Sequence, residues 1–128
     1  GEALSCITID IDNLTDINDR YGHEIGDLVL KRVASAVRQR LRITDHIFRS
    51  GGDKFVVVAT DCNGAAAQEM AEELQALVSQ LRLESKLELV PTSITTGISS
   101  LEGDELKPDI LLARSDADLR HARQNANS

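Results

Sequence analysis

At 128 residues and 41% hydrophobic, the chain is sized for one compact domain, 1–128, with a real core. A formal net charge of −7, from 14 Lys and Arg against 21 Asp and Glu, argues against a surface that coats duplex DNA or an anionic membrane. Cys6 and Cys62, with His23, His46 and His121, form neither a disulfide framework nor a zinc set, and no apolar run approaches the roughly 20 residues of a membrane span. Two small core thiols in a reducing cytosol are the simpler expectation.

In chain order, "LSCITIDID" alternates Ile7, Ile9 and Ile11 with Thr8, Asp10 and Asp12, which predicts a strand with one buried face and its acids on the other. No signal peptide precedes it, and this opening predicts a segment excised from a larger protein. "NLTDINDRYG" predicts a short helix stopped at Gly22. From Glu24 to Leu41, Ile25, Leu28, Val29, Val33, Val37 and Leu41 recur at the spacing of a second helix that covers the sheet. "DHIFR" and "KFVVVA" predict a hairpin through Ser50, Gly51, Gly52 and Asp53. Asn63-Gly64 marks a turn into a helix whose stripe is Met70, Leu74, Leu77, Val78 and Leu81. "TSITTGIS" follows as a β-branched strand from Thr92 to Ser99, and Pro108 opens a last helix carrying Leu111, Leu112, Leu119 and Ala122. This order predicts an α+β fold, helices packed on a largely antiparallel sheet.

If the first strand lies beside the hairpin, Asp10 and Asp53 present two carboxylates to one hard divalent cation such as Mg²⁺, which takes one or two carboxylates and fills its shell with water and phosphate oxygens. Gly51 and Gly52 then serve either as a tight turn that Asp53 caps or as bare backbone that phosphates approach.

Two longer stretches, "DIDNLTDINDRYGHEIGD" from Asp10 to Asp27 and "RITDHIFRSGGDKF" from Arg42 to Phe55, resemble the GGDEF domain of bacterial diguanylate cyclases, which condense two GTP into cyclic di-GMP. "TTGIS" and "ARSDADLRHAR" look like later elements of that family, so the resemblance covers nearly the whole chain, without the family's N-terminal helix. It implies a palm-like, ferredoxin-related domain shared with nucleotidyl cyclases. It implies metal ligation, by Mg²⁺ or Mn²⁺, through Asp10, Asp53 and the Ile11 carbonyl. Guanine recognition falls to Asn18 and Asp27, an amide and a carboxylate with donors and acceptors complementary to the base edge. Phosphates fall to Gly51, Gly52 and Arg123, the last standing where the family has lysine.

Other positions depart from the family pattern. Its signature Glu is Lys54 here, and an ammonium has donors only, so it cannot act as a carboxylate ligand. A phosphate-contacting lysine is replaced by Thr15 and a later arginine by Asn127. Loss of one comparable electrostatic group costs roughly 10²- to 10³-fold in rate. Catalysis is therefore expected to be impaired, with Lys54 paired to Asp53, paired to a bound triphosphate, or simply solvated. "RITD" stands at the family's inhibitory product site, so Arg42 and Asp45 are either a surface ion pair or part of a cyclic di-GMP site. A second arginine from the following helix is absent, because Phe55 to Leu81 contains no Lys or Arg. The readings in view are a regulatory module for GTP or cyclic di-GMP, an active cyclase working as a homodimer, and a dimerisation domain without nucleotide. A neighbouring sensor or phosphodiesterase domain and a cytoplasmic location, free or on a membrane-anchored protein, belong to the same expectation; nucleic acid and membrane contact by this domain do not.

Overall fold

The computed structural model describes residues 3–102 and 108–126. Its elements are β1 Ala3–Ile11, α1 Leu14–Tyr21, α2 His23–Arg40, β2 His46–Arg49, β3 Lys54–Thr60, α3 Gly64–Ser79, β4 Glu84–Ser85, β5 Glu88–Leu89, β6 Ile94–Glu102 and α4 Pro108–Ala126. The main sheet has the order β2-β3-β1-β6, with every neighbouring pair antiparallel. β1 and β2 therefore run parallel with β3 between them, the split β-α-β of the ferredoxin-like palm.

Side-chain alternation splits this sheet into two faces. Ile7, Ile9, Phe55, Val57 and Ile94 join Val29, Val33 and Val37 of α2 and Met70, Leu74 and Val78 of α3 in the larger core. The fourfold spacing of the α2 and α3 residues keeps them on one side of each helix, while Leu28 and Leu77 fall outside that stripe and are exposed. Asn63 starts α3 as an N-cap, its side chain accepting from Ala66 N–H at 2.8 Å.

The opposite face is not left to water, which corrects the one-sided strand expected for β1. Cys6 and Thr8 are each only 1% exposed, because α4 packs over them with Leu111 against Cys6, Val56 and Leu101. Gly97 permits this approach: a Cβ there would lie 2.2 Å from the Ser115 carbonyl oxygen and 2.3 Å from the Leu119 nitrogen. Thr8 Oγ1 donates to that Ser115 carbonyl at 3.0 Å, so strand and helix are joined through polar as well as apolar contact. Leu111 and Leu119 are the buried residues of the expected stripe, whereas Leu112 faces out. The β4–β5 hairpin was not anticipated, because its turn, through Lys86 and Leu87 at φ 51° and 68°, carries no glycine or asparagine to announce the left-handed backbone.

Candidate functional site

The expected meeting of Asp10 with the hairpin tip is built by backbone. Ile11 N–H donates to the Asp53 carbonyl at 3.0 Å, and the β1–β3 ladder sets Asp10 directly opposite Lys54. Arg49 braces the tip, its Nε donating to the Gly51 carbonyl at 3.0 Å and its Nη2 to the Gly52 carbonyl at 2.5 Å. Gly51 and Gly52 do not use the left-handed backbone, and a Cβ on either would meet nothing closer than Lys54 Cβ at 4.0 Å. Nothing within the fold requires glycine there, and the space above both remains open.

The Asp10 carboxyl is held above the usual carboxylate range. Burial is the main cause; the Arg123 charge opposes it, and the Asp53 carboxyl, within hydrogen-bonding reach, adds to it. Asp10 Oδ1 is buried and finds no donor. An acid pair with one unsatisfied buried oxygen favours a positive species between the two carboxylates, and it fits a Mg²⁺ or Mn²⁺ that brings phosphate oxygens with it. The described residues offer no group of three or more His, Cys, Asp and Glu for an all-protein metal cage.

Asp10 Oδ2 is taken by Arg123, near the end of α4, through Nε at 3.1 Å and Nη2 at 3.0 Å. Nη1 of the same guanidinium binds Asp12 Oδ1 at 2.7 Å, and Asp12 in turn accepts from Ser93 Oγ at 2.6 Å and Thr95 Oγ1 at 2.7 Å. Asp12, Ser93 and Thr95 were not among the expected site residues. The alternation that sets Asp10 and Asp12 on one face was the available signal, but their partners come from β6, the residue just before it, and α4. Lys54 makes no ion pair among the described residues, so its expected bond to Asp53 is not formed. Asn127 lies outside the described residues, and Thr15 is exposed on α1.

Gly22, at φ 96°, turns the chain from α1 into α2, and its N–H closes α1 on the Asn18 carbonyl at 2.9 Å. The turn brings Asn18 onto the start of α2, where a Cβ on Gly26 would lie 1.7 Å from Asn18 Oδ1. Gly26 thus makes room for the Asn18 amide, with Asp27 next in sequence and exposed.

Arg42 and Asp45 form a closed local pair. Asp45 Oδ2 accepts from Arg42 N–H at 2.9 Å and Nε at 3.1 Å, and Oδ1 accepts from Nη2 at 2.8 Å. Burial would raise the Asp45 carboxyl, but the Arg42 hydrogen bonds and charge outweigh it and hold the group below its ordinary range. Arg42 Nη2 also donates to the Thr60 carbonyl at 2.7 Å. Beside the pair lies a groove of about 200 Å³ lined by Arg40, Arg42, Asp61, Cys62, Ala66, Glu69 and Met70. The second arginine here comes from the preceding helix, and Arg40 is engaged by Glu73 of α3.

A family model described as diguanylate cyclase, GGDEF domain, matches residues 1–128. The chain is 32% identical over 127 residues to diguanylate cyclase A of Treponema denticola, covering 99% of this chain and 34% of that protein. It is 33% identical over 130 residues to response regulator PleD of Caulobacter vibrioides, covering 100% and 29%. The active GGEEF domain of a diguanylate cyclase from Vibrio cholerae superposes with a TM-score of 0.87 at 31% identity, covering 96% of this chain and 78% of that one. The chain thus spans about a third of the length of these curated relatives.

Proposed function

The chain belongs to the GGDEF domain family of diguanylate cyclases, and from that membership we propose that it is a regulatory nucleotide-binding domain of cyclic di-GMP signalling whose cyclase chemistry is impaired. The observation that carries this reading is the register that sets Lys54 opposite Asp10, with Arg123 on the same carboxylate. Two cations thereby stand among the acids that the family resemblance assigns to metal. Asp10, Asp53 and the Ile11 carbonyl would hold Mg²⁺ or Mn²⁺, which supplies charge neutralisation for the triphosphate. Lys54 and Arg123 take over part of that neutralisation, so GTP binding depends weakly on metal. Asn18 and Asp27 read guanine, and the exposed backbone of Gly51 and Gly52 admits the phosphates.

Calorimetric titration with GTP and then cyclic di-GMP, each with and without Mg²⁺, tests the reading when followed by chromatography of the GTP mixture. Binding without turnover is the expected result, and turnover would overturn it. Lys54→Glu is expected to make GTP binding more dependent on Mg²⁺; a variant that binds Mg²⁺ and GTP no better than the parent counts against the role given to Lys54. Cyclic di-GMP binding at Arg42 and Asp45 is expected to be weak, because Asp45 already accepts three bonds from Arg42. Micromolar or tighter binding that survives Arg42→Ala would sink that assignment.

One observation favours the second reading, an active cyclase in a homodimer: both candidate metal acids stand together, with Asp10 Oδ1 unsatisfied. A sensor or phosphodiesterase neighbour and a cytoplasmic location fit a domain of this family. No helix of the described residues is long and apolar enough to cross a membrane.

A further inference from the structure

Arg123 occupies a position between two acids that are not equivalent. Its Nε and Nη2 converge on Asp10 Oδ2 at 3.1 and 3.0 Å, with Nη2 also 3.5 Å from the Asp10 carbonyl oxygen, while Nη1 reaches Asp12 Oδ1 at 2.7 Å. Asp12 is fixed independently of Arg123, because hydroxyls from Ser93 and Thr95 hold one carboxylate oxygen each. Asp10 has no such support: Arg123 is the one ion-pair partner of its side chain among the described residues, Lys54 opposite it on β3 makes no ion pair, and Oδ1 is buried without a donor. One end of the guanidinium therefore rests on an anchored carboxylate, and the other covers a carboxylate that is short of partners. The Arg123 side chain is about a third exposed, at 32%, so it is open to an anion from solvent.

We propose that Arg123 and Asp12 form a latch, in which Arg123 closes Asp10 to divalent cations while no nucleotide is bound, and a polyphosphate draws its guanidinium off Asp10 while Asp12 keeps hold of it. The physical basis is competition for one carboxylate. A divalent ion at Asp10 meets a fixed positive charge on the neighbouring oxygen, and that repulsion disappears once phosphate oxygens accept the guanidinium donors. Metal and nucleotide then favour each other's binding by equal factors, as linkage requires, a coupling that stays within the about tenfold that Arg123 costs the metal and so leaves nucleotide binding possible without metal. Asp12 is a positioning residue in this scheme. Only the opening half rests on the nucleotide-binding reading; the closed half concerns Arg123, Asp10 and the metal alone.

The test is Mn²⁺ binding followed by electron paramagnetic resonance, with no nucleotide present, on the wild type, Arg123→Gln and Arg123→Lys. Loss of the guanidinium charge is expected to tighten Mn²⁺ binding about tenfold, and the lysine variant, a point charge that cannot fork between two carboxylates, falls between. Arg120→Gln, the same charge change on the exposed side of α4, is expected to leave Mn²⁺ binding as it was. Adding a non-hydrolysable GTP analogue should tighten Mn²⁺ binding in the wild type and shrink the advantage of Arg123→Gln.

Nucleotide-free Mn²⁺ binding by both Arg123 variants within about twofold of the wild type overturns the latch, as does an equal gain in Arg120→Gln, which would reduce the effect to net charge. A gain that the analogue leaves undiminished, although calorimetry shows the analogue bound, overturns the opening half. If calorimetry shows no nucleotide binding at all, the functional reading fails instead, and the nucleotide-free Mn²⁺ comparison still decides whether Arg123 closes Asp10. Circular dichroism of each variant separates these outcomes from misfolding.

Discussion

Arg42 and Arg123 each grip an aspartate, one three residues away along the chain and the other 113 residues away, and the two aspartates end in opposite electrostatic states. Asp45 has a fully buried side chain and accepts three bonds from Arg42, with its carboxyl held below the ordinary range. Asp10 is partly buried, shares its arginine with Asp12, keeps one buried oxygen without a donor and is pushed up, burial first and the Asp53 carboxyl adding to it. A saturated pair works as a structural staple, whereas an under-saturated one has capacity left for a ligand. On this difference rest the structural part given to Asp45 and the ligand-binding part proposed for Asp10.

The largest expected effect breaks the distant site through its scaffold. Gly97→Ala drives a Cβ into the α4 backbone, where no side-chain rotation relieves it, and should cost about 3 kcal/mol in chemical denaturation. The variant displaces α4, and Arg123 with it, while Arg42 and Asp45 lie in the connection between α2 and β2; a cost below about 0.5 kcal/mol would mean that α4 docking does not depend on close approach at Gly97. Next comes Asp45→Ala, which removes the acceptor of Arg42 N–H, Nε and Nη2 and should cost about 2 kcal/mol.

The same pair has a pH signature. The folded Asp45 carboxyl titrates below its unfolded value of about 3.8, so its contribution is fully present above that pH and is lost as pH falls through the lower folded value. Urea midpoints of the wild type and Asp45→Asn should therefore converge as the medium is acidified below about pH 4. A gap that stays constant down to the acid limit would deny the pair its role.

Asp10→Asn carries the smallest expected effect on stability, less than about 1 kcal/mol in either direction, because it relieves the repulsion with Asp53 while Asp12 retains Arg123. A loss as large as that of Asp45→Ala would erase the distinction between the two sites and make Asp10 a structural residue.

Much of the architecture was legible because it is written in short-range periodicity. The threefold Ile alternation marked β1, the fourfold Val spacing marked α2, and Gly51-Gly52 between β-formers marked the hairpin. What stayed hidden left no signal in the neighbouring residues. The turn at Lys86 and Leu87 uses left-handed backbone without a residue that signals it, and the second layer over β1 depends on the fit of Gly97 against α4. Asp12 looked like one more strand acid, since its three partners come from Ser93, Thr95 and Arg123.

By itself the sequence determined the four helices, the strands of the main sheet and the acid at the hairpin tip, because these rest on alternation and turn residues within a short stretch of chain. Tertiary structure alone decided that α4 covers the second face of the sheet, that Arg123 stands on Asp10, and that Asp10 is raised while Asp45 is lowered. The physical reason is that the state of a carboxylate depends on its burial and on the charges that face it, and for Asp10 those charges arrive from opposite ends of the chain.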